Sequence, residues 1–463
     1  MPIHPFDYQV NPQVFSTLEL EALFDEQSVL QRWLDFEAAL AAAQGKFGII
    51  PAAAAAEIQA KAKLAHIDLD SVRQGYSRSR NSVVPLLGGL RRACRDGHGE
   101  YVHYGATTQD VLDTGQILAL KKALNIVLRD LGKFEEVCID LTEKHRATPM
   151  VARTHGQQAL PTTFGLKTAV WAAEIRRHTE RIQRVHRTIG YGQLSGAVGT
   201  YAALGDKGLE VAEETMHLLG LAHDPLSWHT ARDKVAELAS NFSLLVMTLA
   251  KIANEVFNLQ KTEIDELREP SLSGALSSST MPHKQNPAVC ERVMALAKHV
   301  RALAGTVTES MVHEHERDPR CLWAEWLAMP QLCIYTGAAL QYMLNVLSGL
   351  TVRPEQMLTN LHQRKELLVT EWLLFRLSKT LGKNKALEKL HSLAASAAEK
   401  NISLKEMVLA DTEIGGLFTP EDLAPLDHPE QYIGHAVEIV DRTIAEIRRQ
   451  QKDDFNAAVQ ADA

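Results

Sequence analysis

The chain has 463 residues, enough for one large domain or several smaller ones with a substantial buried core. Apolar residues make up 45% and charged residues 23%, and 49 Lys+Arg against 57 Asp+Glu give a net charge of −8. That length excludes a disulfide mini-domain, and the charge balance argues against a generic nucleic-acid partner, which needs a basic excess.

The opening MPIHPFDYQVNPQVF has no basic stretch followed by an apolar run, and no uninterrupted apolar run of about 18 residues occurs, so no membrane association is expected. The cysteines Cys94, Cys138, Cys290, Cys321 and Cys333 are odd in number and form no CxxC pair. That usage fits a reducing, cytoplasmic setting and argues against a zinc site or a disulfide framework.

Proline punctuates helical chains, and three windows without it, 86–148, 162–224 and 226–269, are far longer than a typical globular helix. Before them, Pro51 ahead of Ala52–Ala56 reads as a helix start. In the first window Ile117, Leu120, Leu124, Val127, Leu131, Phe134, Cys138 and Leu141 recur in alternating steps of three and four. Val235, Leu238, Phe242, Leu245, Leu249, Ile252, Val256 and Leu259 repeat this spacing, and a third seam runs through Val289, Val293, Leu296, Val300, Leu303 and Val307. Leu118, Leu128, Val137, Leu244, Val246 and Phe257 widen the first two stripes, as burial on several sides requires. The expectation is an all-α protein in three helical domains: an N-terminal domain over 1–110, a central long-helix bundle over 111–354 and a C-terminal domain over 355–463, the bundle completed by other subunits. The last residues, QQKDDFNAAVQADA, read as a polar, frayed end.

Four segments stand out against this helical background. In YVHYGATTQD (101–110), adjacent Thr107 and Thr108 before a long helix can seat a carboxylate on backbone N–H groups, or simply cap the helix. In RTHGQQALPTT (153–163), read as a loop before the next helix, His155 is a side chain that titrates near neutrality, or else a polar surface group. The stretch 271–287, SLSGALSSSTMPHKQNP, is either a linker or a lid, and Pro282 and Pro287 around Lys284 and Asn286 argue for the lid. In HEHERD (313–318), a charge run of the kind found on solvated faces, His313 and His315 are two apart and diverge on a helix, so no metal requirement is expected. No P-loop, GxGxxG or GxSxG pattern is present.

SSSTMPHKQNP resembles the signature loop of the fumarase/aspartase superfamily, and HYGATTQDVLDTG, RTHGQQALPTTFG, GQLSGAVGTYAALG and HERD follow that family's order over roughly residues 15–450. The resemblance implies a homotetramer with a shared helical core, active sites built from three subunits, and a reaction that needs no cofactor. It removes a Cβ proton from a succinyl group of a small dicarboxylate-containing substrate and expels the Cα substituent. It further implies Ser278 as general base and His155 as general acid, with Thr107, Thr108, His103, Lys284, Asn286, Asn81 and Gln157 binding substrate. Ser277 stands where the family signature has Gly.

The branch is indicated by what is missing. Adenylosuccinate lyases carry nucleotide-binding Arg-His-Asp and Ser-Ala-Glu-Arg segments, where this chain has Arg80-Asn81-Ser82 and Trp323-Ala324-Glu325-Trp326. Those replacements remove donors and charge from a phosphate site and resemble the 3-carboxy-cis,cis-muconate cycloisomerase branch. That branch, in turn, commonly lacks the histidine kept here as His155. The combination implies a carbon-nitrogen lyase acting on a non-nucleotide N-substituted aspartate and releasing fumarate, with lactonisation and adenylosuccinate cleavage as alternatives.

Overall fold

A computed structural model describes residues 14–81, 83–270, 281 and 283–461. Among these the chain is 71% helical, with 17 α-helices, so the all-α expectation holds. Five helices are long: Thr108–Lys144, Phe164–Ile189, Asp233–Leu259, Ala288–Glu309 and Pro319–Ser348. All eight residues of each of the first two seams are buried, the signature of knobs packed along most of a helix. In the third seam Val293, Leu296, Val300 and Val307 are buried, while Val289 and Leu303 are half-covered. The first helix continues past its seam to 37 residues, about 55 Å at 1.5 Å per residue. Asp233–Leu259 is long and apolar enough to cross a membrane by composition, yet its apolar seam is buried within the chain.

Contacts divide the described chain into two compact units. The first comprises residues up to Gly132 with Arg177–Ala250 and Arg292–Tyr342, and the second Lys133–Arg176, Lys251–Glu291 and Met343 onward. In the second unit, short helices from Pro354 to Ala410 enclose an apolar cluster including Leu373, Leu377, Val408 and Leu426.

Two local expectations need correction. Residues 149–163 are not a loop but an antiparallel hairpin, Pro149–Thr154 against Gln157–Thr163. Its register shifts between Val151 and Arg153, opposite Pro161, a place in a ladder that tolerates a residue without an N–H. Within the Pro319–Ser348 helix, Pro330 costs one main-chain bond without ending it. The described part of the polar C-terminal stretch is helical, within Ala436–Ala461, and is tied down by an Arg176–Asp454 ion pair and by Gln451 donating to Glu136 at 2.7 Å; residues 462–463 lie outside the described residues.

Candidate functional site

The segment from His103 to Asp110 is held at nearly every residue. Asp110, fully buried in the first turn of the Thr108–Lys144 helix, accepts from the Thr107 N–H at 3.0 Å. This is the reach-back half of a capping box, and it engages the Thr107 amide within the protein. The same carboxylate accepts from the Ser195 and Gly196 N–H groups at 3.2 and 3.1 Å and meets Nε2 of buried His229 at 3.0 Å. Arg317, from the HERD run, donates to the Thr107 hydroxyl at 2.9 Å and to the Ala197 carbonyl at 2.6 Å. Three stretches that are distant in sequence thus meet at one helix N-terminus, where a guanidinium and a helix dipole favour an anion.

His103 stands just upstream with φ +64, in the left-handed region, and its Nδ1 lies 2.6 Å from Oε1 of buried Glu37. Burial by itself lowers its pKa, but the Glu37 charge and hydrogen bond outweigh that and hold the imidazole above its ordinary value. Asn81 acts as a helix cap, its side-chain oxygen accepting from the Val83 and Val84 N–H groups, both at 3.0 Å, at the start of the Val84–Ala93 helix.

Beneath this surface lies a charged triad. Arg232 donates to Asp113 at 3.0 Å and to Glu325 at 2.9 Å, with a second bond to Glu325, and all three are about 1% exposed. Gln116 donates to Glu325 at 2.6 Å. Burial pushes Asp113 up, against the pull of Arg232, to about 6. Beside Glu325, Trp326 lies 6.1 Å from Trp33 and 5.2 Å from Trp323 between ring centres. Trp33, Trp326, Tyr76, Arg32 and Arg73 line a cavity of about 610 Å³.

The second unit carries His155 and Gln157. His155 and Gly156 form the two-residue hairpin tip, both with positive φ (+53 and +75), as a type I′ turn requires. Both His155 and Gln157 are exposed. The root of the hairpin is fixed by Arg153, which grips buried Glu266 through two bonds of 2.7 and 3.0 Å, while Asn360 donates to Glu266 at 2.8 Å. In the same unit Lys284 is exposed and Asn286 half-buried, ahead of the Ala288–Glu309 helix. Glu269 caps that helix, accepting from the Val289 and Cys290 N–H groups at 2.9 Å each. Ser278 and Ser277 lie outside the described residues.

The structure therefore brings Thr107, Thr108 and His103 together in the first unit, with Asn81 engaged as a cap there. His155, Gln157, Lys284 and Asn286 belong to the second. Glu37, Asp110, Asp113, His229, Arg232 and Arg317 were not singled out from sequence. The available signal was a carboxylate interrupting an apolar face, as Glu37 does in DFEAALAAA. Among the described residues no group of three or more His, Cys, Asp or Glu is placed to hold a metal ion.

Residues 17–302 match the family described as Lyase, and 366–443 match one described as Adenylosuccinate lyase C-terminus. An N-acetyl-S-(2-succino)cysteine lyase from Dickeya dadantii is 39% identical over 96% of this chain and 98% of its own length. A 3-carboxy-cis,cis-muconate cycloisomerase from Bradyrhizobium diazoefficiens is 37% identical over 94% and 97%. The crystal structure of a fumarate lyase from Mesorhizobium sp. BNC1 superposes with a TM-score of 0.87 at 32% identity, covering 96% of this chain and all of that one.

Proposed function

We propose that this chain, which belongs to the fumarase/aspartase superfamily and is an enzyme of the lyase class, catalyses β-elimination from a non-nucleotide 2-substituted succinate, releasing fumarate. A base takes the Cβ proton, the electron pair forms the Cα–Cβ double bond, and the Cα substituent departs with the bonding pair, as a thiolate or as an amine protonated by the acid. The observation that carries this reading is Arg317 on Thr107 at the N-terminus of the Thr108–Lys144 helix, a seat suited to one carboxylate of the succinyl group. Thr108 and His103, in the same unit, complete that seat; Lys284, Asn286, Asn81 and Gln157 join the substrate-binding set through the motifs they share with the family. The carbanion formed beside a carboxylate is an aci-carboxylate dianion, which positive charge and fixed donors stabilise. Ser278 is the base and His155 the acid; an exposed hairpin tip suits a side chain that must meet a substrate held elsewhere in the assembly.

For the leaving atom we favour sulfur in a cysteine-type thioether. Support comes from the Dickeya relative, and from the Trp33–Trp326–Trp323 cluster, since a polarisable thioether packs well against aromatic rings. The nitrogen of an N-substituted aspartate is the second reading, favoured by the retention of His155, because an amine must be protonated to leave. The protein works without a cofactor, in the cytoplasm, as a homotetramer with shared active sites. Exposed Val170, Leu244 and Met247 on the long helices support the assembly.

The test follows fumarate formation while N-acetyl-S-(2-succino)cysteine, N-substituted aspartates, adenylosuccinate and carboxymuconate are each supplied. Fumarate from the thioether, lost by several orders in Ser278→Ala with the tetramer intact by light scattering, is the expected result. Lactone formation from carboxymuconate without fumarate, or turnover of adenylosuccinate alone, overturns it.

A further inference from the structure

Glu37 is the feature least explained by packing. It lies on the Glu26–Lys46 helix among buried Phe36, Leu40 and Ala41, where an apolar side chain would serve the core better than a carboxylate. Its Oε1 meets only His103 Nδ1, and its Oε2 is buried without a partner. Seven residues on, along the same face, buried Gln44 donates to the Tyr104 carbonyl at 2.6 Å. One helix thus clamps two consecutive residues of the segment that leads to Thr107. The segment is under backbone constraint as well. His103 sits in the left-handed region, where a residue with a Cβ is disfavoured, and Gly105 follows at φ +77, with Leu204 only 2.5 Å from where its Cβ would be. A buried acid and a strained backbone converge on a single imidazole.

We propose that Glu37 is a positioning residue of the substrate site, orienting the His103 ring through Nδ1 so that Nε2 is the donor offered, as part of an imidazolium, to a carboxylate of the succinyl group. This rests on the reading of the site as a seat for that group. The proton on Nδ1 belongs to the bond with Glu37, so Nε2 is the one ring nitrogen left to meet a ligand, and a charged ring donates from both. Three charged groups face His103: Glu37, Asp110 from the Thr108–Lys144 helix, and Arg91 from the Val84–Ala93 helix. Glu37 is the only one of them hydrogen-bonded to the ring, and it sets the sign. Without it, burial and Arg91 both oppose the charged form.

The experiment is fumarate binding by calorimetry between about pH 6 and 9, because fumarate is the product whatever the leaving group. In the wild type, affinity strengthens as pH falls through the raised His103 value. Glu37→Gln moves that rise to lower pH and weakens binding at neutral pH by about tenfold. Glu37→Asp recovers part of the loss. His103→Asn removes this component, and the double variant binds no more weakly than His103→Asn, as two groups acting through one contact require. Tetramer size and melting temperature are recorded for each variant. Wild-type binding with an unchanged pH profile in Glu37→Gln, or losses that add in the double variant, overturns the inference alone. Absence of fumarate binding by the wild type overturns the seat, and the inference with it.

Discussion

Replacing Asp113 by Asn tests the buried triad through its charge. Two carboxylates, Asp113 and Glu325, share one guanidinium at about 1% exposure, so burial is incompletely offset and Asp113 rises to about 6 from 3.8. The raised folded-state value means that the folded protein holds more protons than the unfolded chain between those two pH values. Stability therefore falls as pH rises from near 3.8 through 6. A difference of 2.2 pKa units at 1.36 kcal/mol each is about 3 kcal/mol in full, of which about 2 kcal/mol develops between pH 4.5 and 7. Asn cannot ionise and loses this dependence. It still offers an oxygen to Arg232, and Gln109, whose Oε1 has no partner, can turn its amide to accept from the new NH₂ group. That turn gives up a bond to the His229 carbonyl, a penalty of about 1 kcal/mol that does not vary with pH. At about 2.1 cal/mol/K per residue the unfolding entropy of this chain is about 1 kcal/mol/K. The Tm of Asp113→Asn relative to wild type should then climb by about 2 °C from pH 4.5 to 7, by scanning fluorimetry at fixed protein concentration. A flat difference, or one that falls with pH, refutes the reasoning.

Three further outcomes follow from the same geometry. Asp110→Asn presents an NH₂ group to donors already aimed at the carboxylate, so at least one of the Ser195, Gly196 and Thr107 amides loses its acceptor; a loss of about 2–4 kcal/mol in urea unfolding is expected, with a raised KM. Arg153→Ala leaves Glu266 buried with Asn360 as its remaining side-chain donor and should cost about 3–5 kcal/mol, read as Tm, with Arg153→Lys intermediate because it cannot form both bonds. His155→Asn should lower kcat by about 10²–10⁴ for an N-substituted aspartate but far less for a thioether, because a thiol of pKa about 8.5 leaves readily as its anion; equal losses on both substrates would assign His155 to something other than leaving-group protonation.

The long helices were legible because their signal is redundant. Sixteen seam positions repeat one spacing, and a helix with such a stripe has one way to bury it, so all sixteen are buried as expected. The hairpin at 149–163 was missed because Pro161 stands inside its second strand and its turn, His155-Gly156, is not the Asn-Gly or Asp-Gly pair that marks a type I′ turn. Pro330 shows that a proline need not end a helix. Helix breaking by proline is a local cost of a few kcal/mol, and a helix buried along its length, with Met329, Leu332 and Cys333 in the core, can bear it.

The site divides along a similar line. The residues proposed to meet the substrate lie in turns and at helix starts, where composition departs from the helical background, and short motifs marked them: Thr107, His155, Lys284. The residues that hold them in place are charged groups inside helices, each unremarkable in sequence until its partner is known. Arg232 needs Asp113 and Glu325, more than 90 residues away in either direction, and Asp110 needs Ser195, Gly196 and His229. A buried charge is tolerated only with its partners in place, so these groups make the helix starts depend on tertiary contacts that no local pattern encodes. Under the proposed mechanism, in which the site stabilises a dianion, that dependence is an advantage: donors fixed before the substrate arrives need little reorganisation as charge develops, and fixing them takes buried counter-charges such as Asp110 and Glu37.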